Sequence, residues 1–243
     1  MKTLNLNADL GESFGAWKMG SDAELLQVVG SANIACGFHA GDPLVMRRTV
    51  RQALDSGVSL GAHPSFPDLQ GFGRRAMQVP AAELEAMLLY QIGALAGIAR
   101  AEGGRLTHVK PHGALNNMAC EDAALAATVA RAVKAFDATL ILLAPALSQL
   151  QRAGEAAGLG VGIEVFADRA YTDEGNLVPR SQPGAVLHSA EACVAHVMRF
   201  VEAGGIVCAS GKVLKTPFHS ICVHGDGPQA VSAAAALRDA LGA

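Results

Sequence analysis

The chain has 243 residues, 51% of them hydrophobic but only 5% aromatic, with a net charge of −3. That is enough chain for one large α/β domain or two small ones, and the mild acidity, without long charge runs, gives no electrostatic case for nucleic acid. No apolar run reaches the ~18 residues of a membrane span, and five scattered cysteines with no C-x-x-C pair predict reduced thiols in a cytoplasmic protein.

The first strand is predicted over residues 3–12 and alternates with a period of two. Leu4, Leu6 and Leu10 share one face; Asn5, Asn7 and Asp9 share the other. The chain enters this strand at once, so no signal peptide is expected. Ser21-Asp22-Ala23-Glu24 has the pattern of a capping box opening a short helix. A second strand follows over 31–38. Pro43 then suits the first turn of a helix over 43–56, which stops at Gly57.

Strand three is predicted over 58–63, followed by a loop rich in Pro and Gly to Arg75. The longest helix is predicted over 80–102 and strand four over 106–110. A helix over 121–136, a strand over 139–144, a helix over 146–157 and a strand over 161–167 continue the alternation. After a long loop, 168–187, come a helix over 189–203 and a hairpin turning at Ser210-Gly211-Lys212. The last strand spans 220–224, and an Ala-rich helix starts near 228.

Helices between successive strands force parallel neighbours, and no linker breaks the pattern, so a single domain over 1–243 is expected. Most strands are apolar on one side and polar or small on the other: Asn33, Ser59, His63, His108, Lys110, Glu164, Cys222 and His224 all fall on the second side. A doubly wound sheet would need both faces apolar. One polar face predicts an irregular (β/α) TIM-like barrel of about seven parallel strands, with helices outside and a polar interior.

In such barrels the chemistry lies at the C-terminal strand ends. The candidates there are Asp9 and Glu12; His39 and Asp42; His63 and Asp68; Lys110, His112 and Asn116; Glu164, Asp168 and Arg169; and His224 and Asp226. Any one of these can be a cap or turn residue, and Asp42 before Pro43 and Asp226 before Gly227-Pro228 fit that reading well. Polar residues at nearly every strand end are harder to explain so. Buried carboxylates beside His and Lys suit proton transfer. Lys110 and Arg169 suit an anion, and Asp9, His39 and His63 are the candidate metal trio. Arg74-Arg75 reads equally as a phosphate site or a solvated pair. The 168–187 loop reads as a lid, a partner surface or a plain barrel loop. Nucleotide signatures fail: Gly205–Lys212 is one residue too long for a Walker A loop, and no G-x-G-x-x-G follows a strand.

Several blocks resemble the LamB/YcsF family, also called the A subunit of 5-oxoprolinase. They are N-L-N-A-D-L-G-E (5–12), N-I-A-C-G-F-H-A-G-D-P (33–43), G-A-H-P-S-F-P-D (61–68), G-F-G-R-R (71–75), V-K-P-H-G-A-L-N (109–116), E-V-F-A-D-R-A-Y (164–171), L-V-P-R (177–180) and C-V-H-G-D (222–226). The resemblance implies a barrel of the glycoside hydrolase/deacetylase type. It implies ATP-dependent hydrolysis of the lactam 5-oxo-L-proline (pyroglutamate) to L-glutamate, with ATP as co-substrate alongside Mg²⁺ and with subunits B and C as partners. A homo-oligomer is compatible with it. On this reading Asp9, Glu12, His39, His63, Lys110, His112, Glu164, Asp168 and His224 are the catalytic candidates. Asn7, Asn33, Asp42, Asn116, Arg169, Arg180 and Asp226 would bind substrate or phosphate. The alternative is a metal-dependent hydrolase or deacetylase using Asp9, His39 and His63.

Overall fold

The computed structural model describes residues 4–224 and 229–242. The strands are β1 (Asn5–Leu10), β2 (Ser31–Ala35), β3 (Ser59–His63), β4 (Leu106–Val109), β5 (Ile141–Pro145), β6 (Gly160–Phe166), β7 (Gly205–Val207), β8 (Val213–Lys215) and β9 (Ser220–His224). β7 and β8 pair antiparallel as a separate ribbon. The other seven close into a parallel barrel, with β9 between β6 and β1. This is the irregular (β/α) barrel that the two-faced strands predict. The helices are α1 (Asp22–Leu25), α2 (Pro43–Asp55), α3 (Ala81–Ala101), α4 (Gly113–Glu121), α5 (Ala123–Phe136), α6 (Gln149–Ala157), α7 (Ala190–Ala203) and α8 (Ala230–Leu241).

Strand parity decides what faces the barrel axis. Leu6, Ala8 and Leu10 of β1 join the apolar core beneath the helices, while Asn7 and Asp9 enter a polar interior network. Register carries that network around the barrel: Asp9 pairs with Asn33, Asn33 with Gly61, and Gly61 with His108. Gly61 is a spatial requirement. A Cβ there would lie 2.1 Å from His108 Nε2, which passes over this glycine to meet Asn33 Oδ1 at 2.9 Å.

Helix ends follow local chemistry. Asp42 caps α2 through bonds from Leu44 N (2.8 Å) and Val45 N (3.0 Å), with Pro43 in the first turn. α6 and α7 end on Gly158 and Gly204, both left-handed.

Four expectations need correction. The Ser21 capping box does not form. The Ser21 side chain makes no cap bond, and Asp22 instead accepts from Gly11 N (3.0 Å) and Thr49 Oγ1 (3.3 Å), tying α1 to the end of β1. β2 stops at Ala35, because Gly37 and Gly41 take positive φ and turn the chain. The helix expected over 121–136 forms as α5, starting at Ala123, and an additional, unexpected helix, α4, precedes it. Asp122, with extended backbone, caps α5 through Ala124 N and Leu125 N and separates it from α4, which opens directly after β4. The fifth strand begins at Ile141 rather than Thr139, whose N–H is bound by the Asp137 side chain. α3 is long and apolar enough to cross a membrane by length and composition. Here its Leu84, Leu88, Ile92, Leu95 and Ala99 join the core cluster.

Candidate active site

A cleft of about 500 Å³ opens over the C-terminal strand ends, with Asp9, His63, Lys110, His112 and His224 in its lining. Below it, Lys110 organises the barrel interior. Its Nζ lies 2.9 Å from Cys222 Sγ, 3.0 Å from Asp9 Oδ1, 3.4 Å from Asn7 Oδ1 and 3.4 Å from Glu164 Oε2. Burial alone would depress this ammonium, but Asp9, Cys222 and Glu164 outweigh it and hold it well above the usual lysine range. Burial likewise would raise Asp9. His63 and the Lys110 ammonium beside it reverse that and keep its carboxyl well below the usual range, so it is ionised.

Glu164 behaves oppositely. It is fully buried, burial raises it against the pull of Lys110, and it does not line the cleft. Its Oε1 has no hydrogen-bond partner. Asn7 and Asn33 complete the network: Asn33 Nδ2 donates to Asn7 Oδ1 (2.7 Å) and Asp9 Oδ1 (2.9 Å), and Asn7 Nδ2 donates to Ser220 Oγ (2.8 Å). Both asparagines are wholly buried. They orient Asp9 from below rather than meeting a ligand.

Beside Asp9 lies an imidazole cluster. His39 and His112 stack with centroids 3.8 Å apart and planes within 7°, and His63 meets both edge-on. His63 Nδ1 donates to Lys110 O (2.6 Å), and His112 Nε2 donates to Phe72 O (2.8 Å). Their other nitrogens face each other at 3.0 Å. Asp9 Oδ2 is 3.3 Å from His63 Nε2, Glu12 Oε1 is 3.3 Å from His39 Nε2, and the same oxygen is 3.6 Å from His112 Nδ1. Burial pushes His39 and His112 well below the usual histidine range.

On the far side, His224 Nδ1 donates to Asp168 at 2.8 Å, and its ring stacks on Phe166. Burial would raise Asp168, but His224 and then Arg180 outweigh it and lower it. Arg169, assigned to an anion from sequence, turns its guanidinium to Val178 O (2.7 Å) and Ala185 O (3.3 Å), bracing the 168–187 loop from beneath. That loop walls the cleft, with Arg180 exposed along it. Asn116 lines the cleft with its Oδ1 unpartnered.

Two sequence candidates serve the scaffold instead. Asp42 is spent on the α2 cap and on Gly15 N (2.7 Å), so it is not a binding residue. Asp68 staples its own loop through Arg75 and Gly71 N. That also splits the Arg74-Arg75 pair: Arg75 belongs to Asp68, whereas Arg74 lines the cleft over the Phe72 ring. Asp226 lies outside the described residues. Sequence reasoning does not find Phe166, which stacks on His224 and lies 5.2 Å from Lys110 Nζ. It shares the inward parity of Glu164, but an apolar residue in a strand reads as core.

A closed parallel barrel whose strand ends converge on a buried acid–base–cation cluster is the architecture of a (β/α)-barrel enzyme. The chain belongs to the LamB/YcsF family, whose match spans residues 4–243. It is 70% identical to the 5-oxoprolinase A subunit of Azoarcus sp. (strain BH72), over 100% of this chain and 95% of that one. It is 57% identical to the 5-oxoprolinase A subunit of Methylococcus capsulatus, over 100% of this chain and 93% of that one. The crystal structure of the lactam utilization protein from Thermus thermophilus superposes with a TM-score of 0.92 at 44% identity, covering 99% of this chain and 96% of that one.

Proposed function

We propose that this chain is the lactam-opening subunit of an ATP-dependent 5-oxoprolinase, converting 5-oxo-L-proline, water and ATP to L-glutamate, ADP and phosphate together with subunits B and C. The observation that carries the reading is the charged Lys110 fixed between Asp9 and Glu164 at the floor of the cleft, in a chain this similar to proteins named as the A subunit of 5-oxoprolinase. A five-membered lactam is an unstrained amide, so its carbonyl needs activation before water attacks. Transfer of a phosphoryl group from ATP to the amide oxygen supplies it. The cleft is much larger than one lactam ring, and Arg74, Lys110 and Arg180 line it, which suits a polyphosphate beside the substrate.

Roles follow from position. Asp9, ionised and open to the cleft, takes the proton of the attacking water. Lys110 neutralises charge on the activated oxygen. His224, oriented by Asp168, delivers a proton to the departing ring nitrogen. Arg180 meets the substrate carboxylate. Glu164, sealed below, holds Lys110. The five cysteines are all free, which fits a reducing, cytoplasmic setting.

The test is glutamate release from 5-oxo-L-proline, with and without ATP, by the chain alone and mixed with subunits B and C. ATP-dependent release only in the full mixture is the expected result. No release in any mixture would reject the reading.

A further inference from the structure

We propose that Glu12, His39, His63 and His112 form a binding site for one divalent transition-metal ion of the zinc class. This set differs from the trio suggested by sequence: Glu12 replaces Asp9, and His112 joins. Each residue lies at or just after the end of a different strand, β1 to β4 in order, and all four are buried. One ligand atom from each falls within 4.8 Å of the others. Three separations are 3.0, 3.3 and 3.6 Å. Tetrahedral zinc, with bonds of about 2.1 Å, needs ligand atoms roughly 3.4 Å apart, so the cluster already has the size of a coordination shell.

Counting donors makes the second argument. A carbonyl oxygen only accepts, so the bonds to Lys110 O and Phe72 O fix a proton on His63 Nδ1 and on His112 Nε2. In the neutral rings, His63 Nε2 and His112 Nδ1 therefore present lone pairs to each other at 3.0 Å. Carboxylate oxygens of Asp9 and Glu12 also face them, and these too only accept. Acceptors facing acceptors repel unless something positive lies between them. A single proton can bridge two nitrogens, but here three imidazoles and a carboxylate converge, the donor set that suits zinc. Backbone carbonyls that lock ligand tautomers are the usual outer support of such centres.

A second group, Asp9, Cys222 and His224, is similarly tight. It already holds a cation, because Lys110 Nζ sits against Asp9 Oδ1 and Cys222 Sγ, so the imidazole cluster is the better site. His63 and His112 line the cleft. A metal held there borders the space where a carbonyl or carboxylate ligand would lie and supplies a Lewis acid to it.

This inference does not rest on the lactam reading, and its test needs no substrate. The full chain, stripped with a chelator, is titrated with Zn²⁺ by calorimetry and with Co²⁺ by visible absorption. Metal retained after gel filtration is measured by mass spectrometry. The expected result is one equivalent per chain and a Co²⁺ spectrum without a thiolate-to-metal charge-transfer band. Glu12→Gln and His112→Gln should each weaken binding by ~100-fold or more, beyond the usual effect of outer-shell changes, and Cys222→Ser should leave the spectrum unaltered. Far-ultraviolet circular dichroism checks that the variants fold; the wild-type titration needs no variant. Retention well below one equivalent by the wild type would overturn the proposal, leaving a proton between the rings. A charge-transfer band abolished by Cys222→Ser would also overturn it, as would unchanged affinity in folded His112→Gln.

Discussion

At the residue scale, Asp9 and Lys110 are each other's condition. Asp9→Asn keeps the shape and the bond to Asn33 but removes the proposed base, so ATP-dependent glutamate release should fall by about 10²–10⁴-fold, well beyond the stability lost by leaving the buried Lys110 without its main anion. Retained turnover in the folded variant would take Asp9 out of the chemistry. Lys110→Met is a different experiment. It leaves Asp9 and Glu164 buried without their cation, and the loss should reach roughly 3–5 kcal/mol in urea denaturation. Adding Glu164→Gln to that variant should restore part of the stability but none of the activity, because Glu164 is already pushed toward its neutral form by burial. If the double variant is no more stable than Lys110→Met, Glu164 is not the strained partner.

At the element scale, the barrel depends on where side chains are missing. Gly61 on β3 makes room for His108 of β4. Gly61→Ala should therefore cost about 1–3 kcal/mol by overpacking, measured as a shift in denaturation midpoint. Gly73 is constrained twice over: φ is +64°, and a Cβ would press on Ser65 Oγ, His112 Cδ2 and His39 Cβ. Gly73→Ala should both destabilise the chain and disturb the imidazole cluster, so glutamate release falls by more than stability alone accounts for. Most of this architecture is legible in the sequence, because a period of two with Asn7, Asp9, Asn33 and Lys110 on one side states which face is inside. α4 is not legible. Its cap residue, His112, makes no side-chain cap bond and its glycine start reads as loop, whereas its actual anchor is tertiary, the bond from Ala114 N to Gly73 O. Asp42 before Pro43 is legible as a cap and is one, but sequence cannot separate Asp68 from Asp9 and Asp168. All three lie near strand ends, and only three-dimensional contact shows that Asp68 is consumed by Gly71 N and Arg75.

At the scale of the whole molecule, several histidines are buried uncharged. Burial pushes His108 down to about 4, against roughly 6.5 in an unfolded chain. Between those values the unfolded chain takes up a proton that the folded one refuses. Stability is therefore intact above pH 6.5 and lost as pH falls toward 4, with His108 contributing up to about 3 kcal/mol. His39 and His112 act in the same direction. Urea midpoints at pH 7 and pH 5 should differ clearly in the wild type and less in His108→Gln; equal differences would remove His108 as a source.

The barrel closes through β9, which lies between β1 and β6, and Asn5 and Asn7 at its start bond to Ser220 more than two hundred residues later. A ribosome therefore releases β1 long before its second lateral neighbour, β9, emerges. Cys222 and His224 arrive on that same strand. The nascent chain can build much of the wall and the imidazole cluster early, yet on the proposed roles its proton path is incomplete until β9, which carries His224, docks. On those roles closure and competence are one event in time, and a polypeptide stopped short of residue 220 should be inert rather than half active.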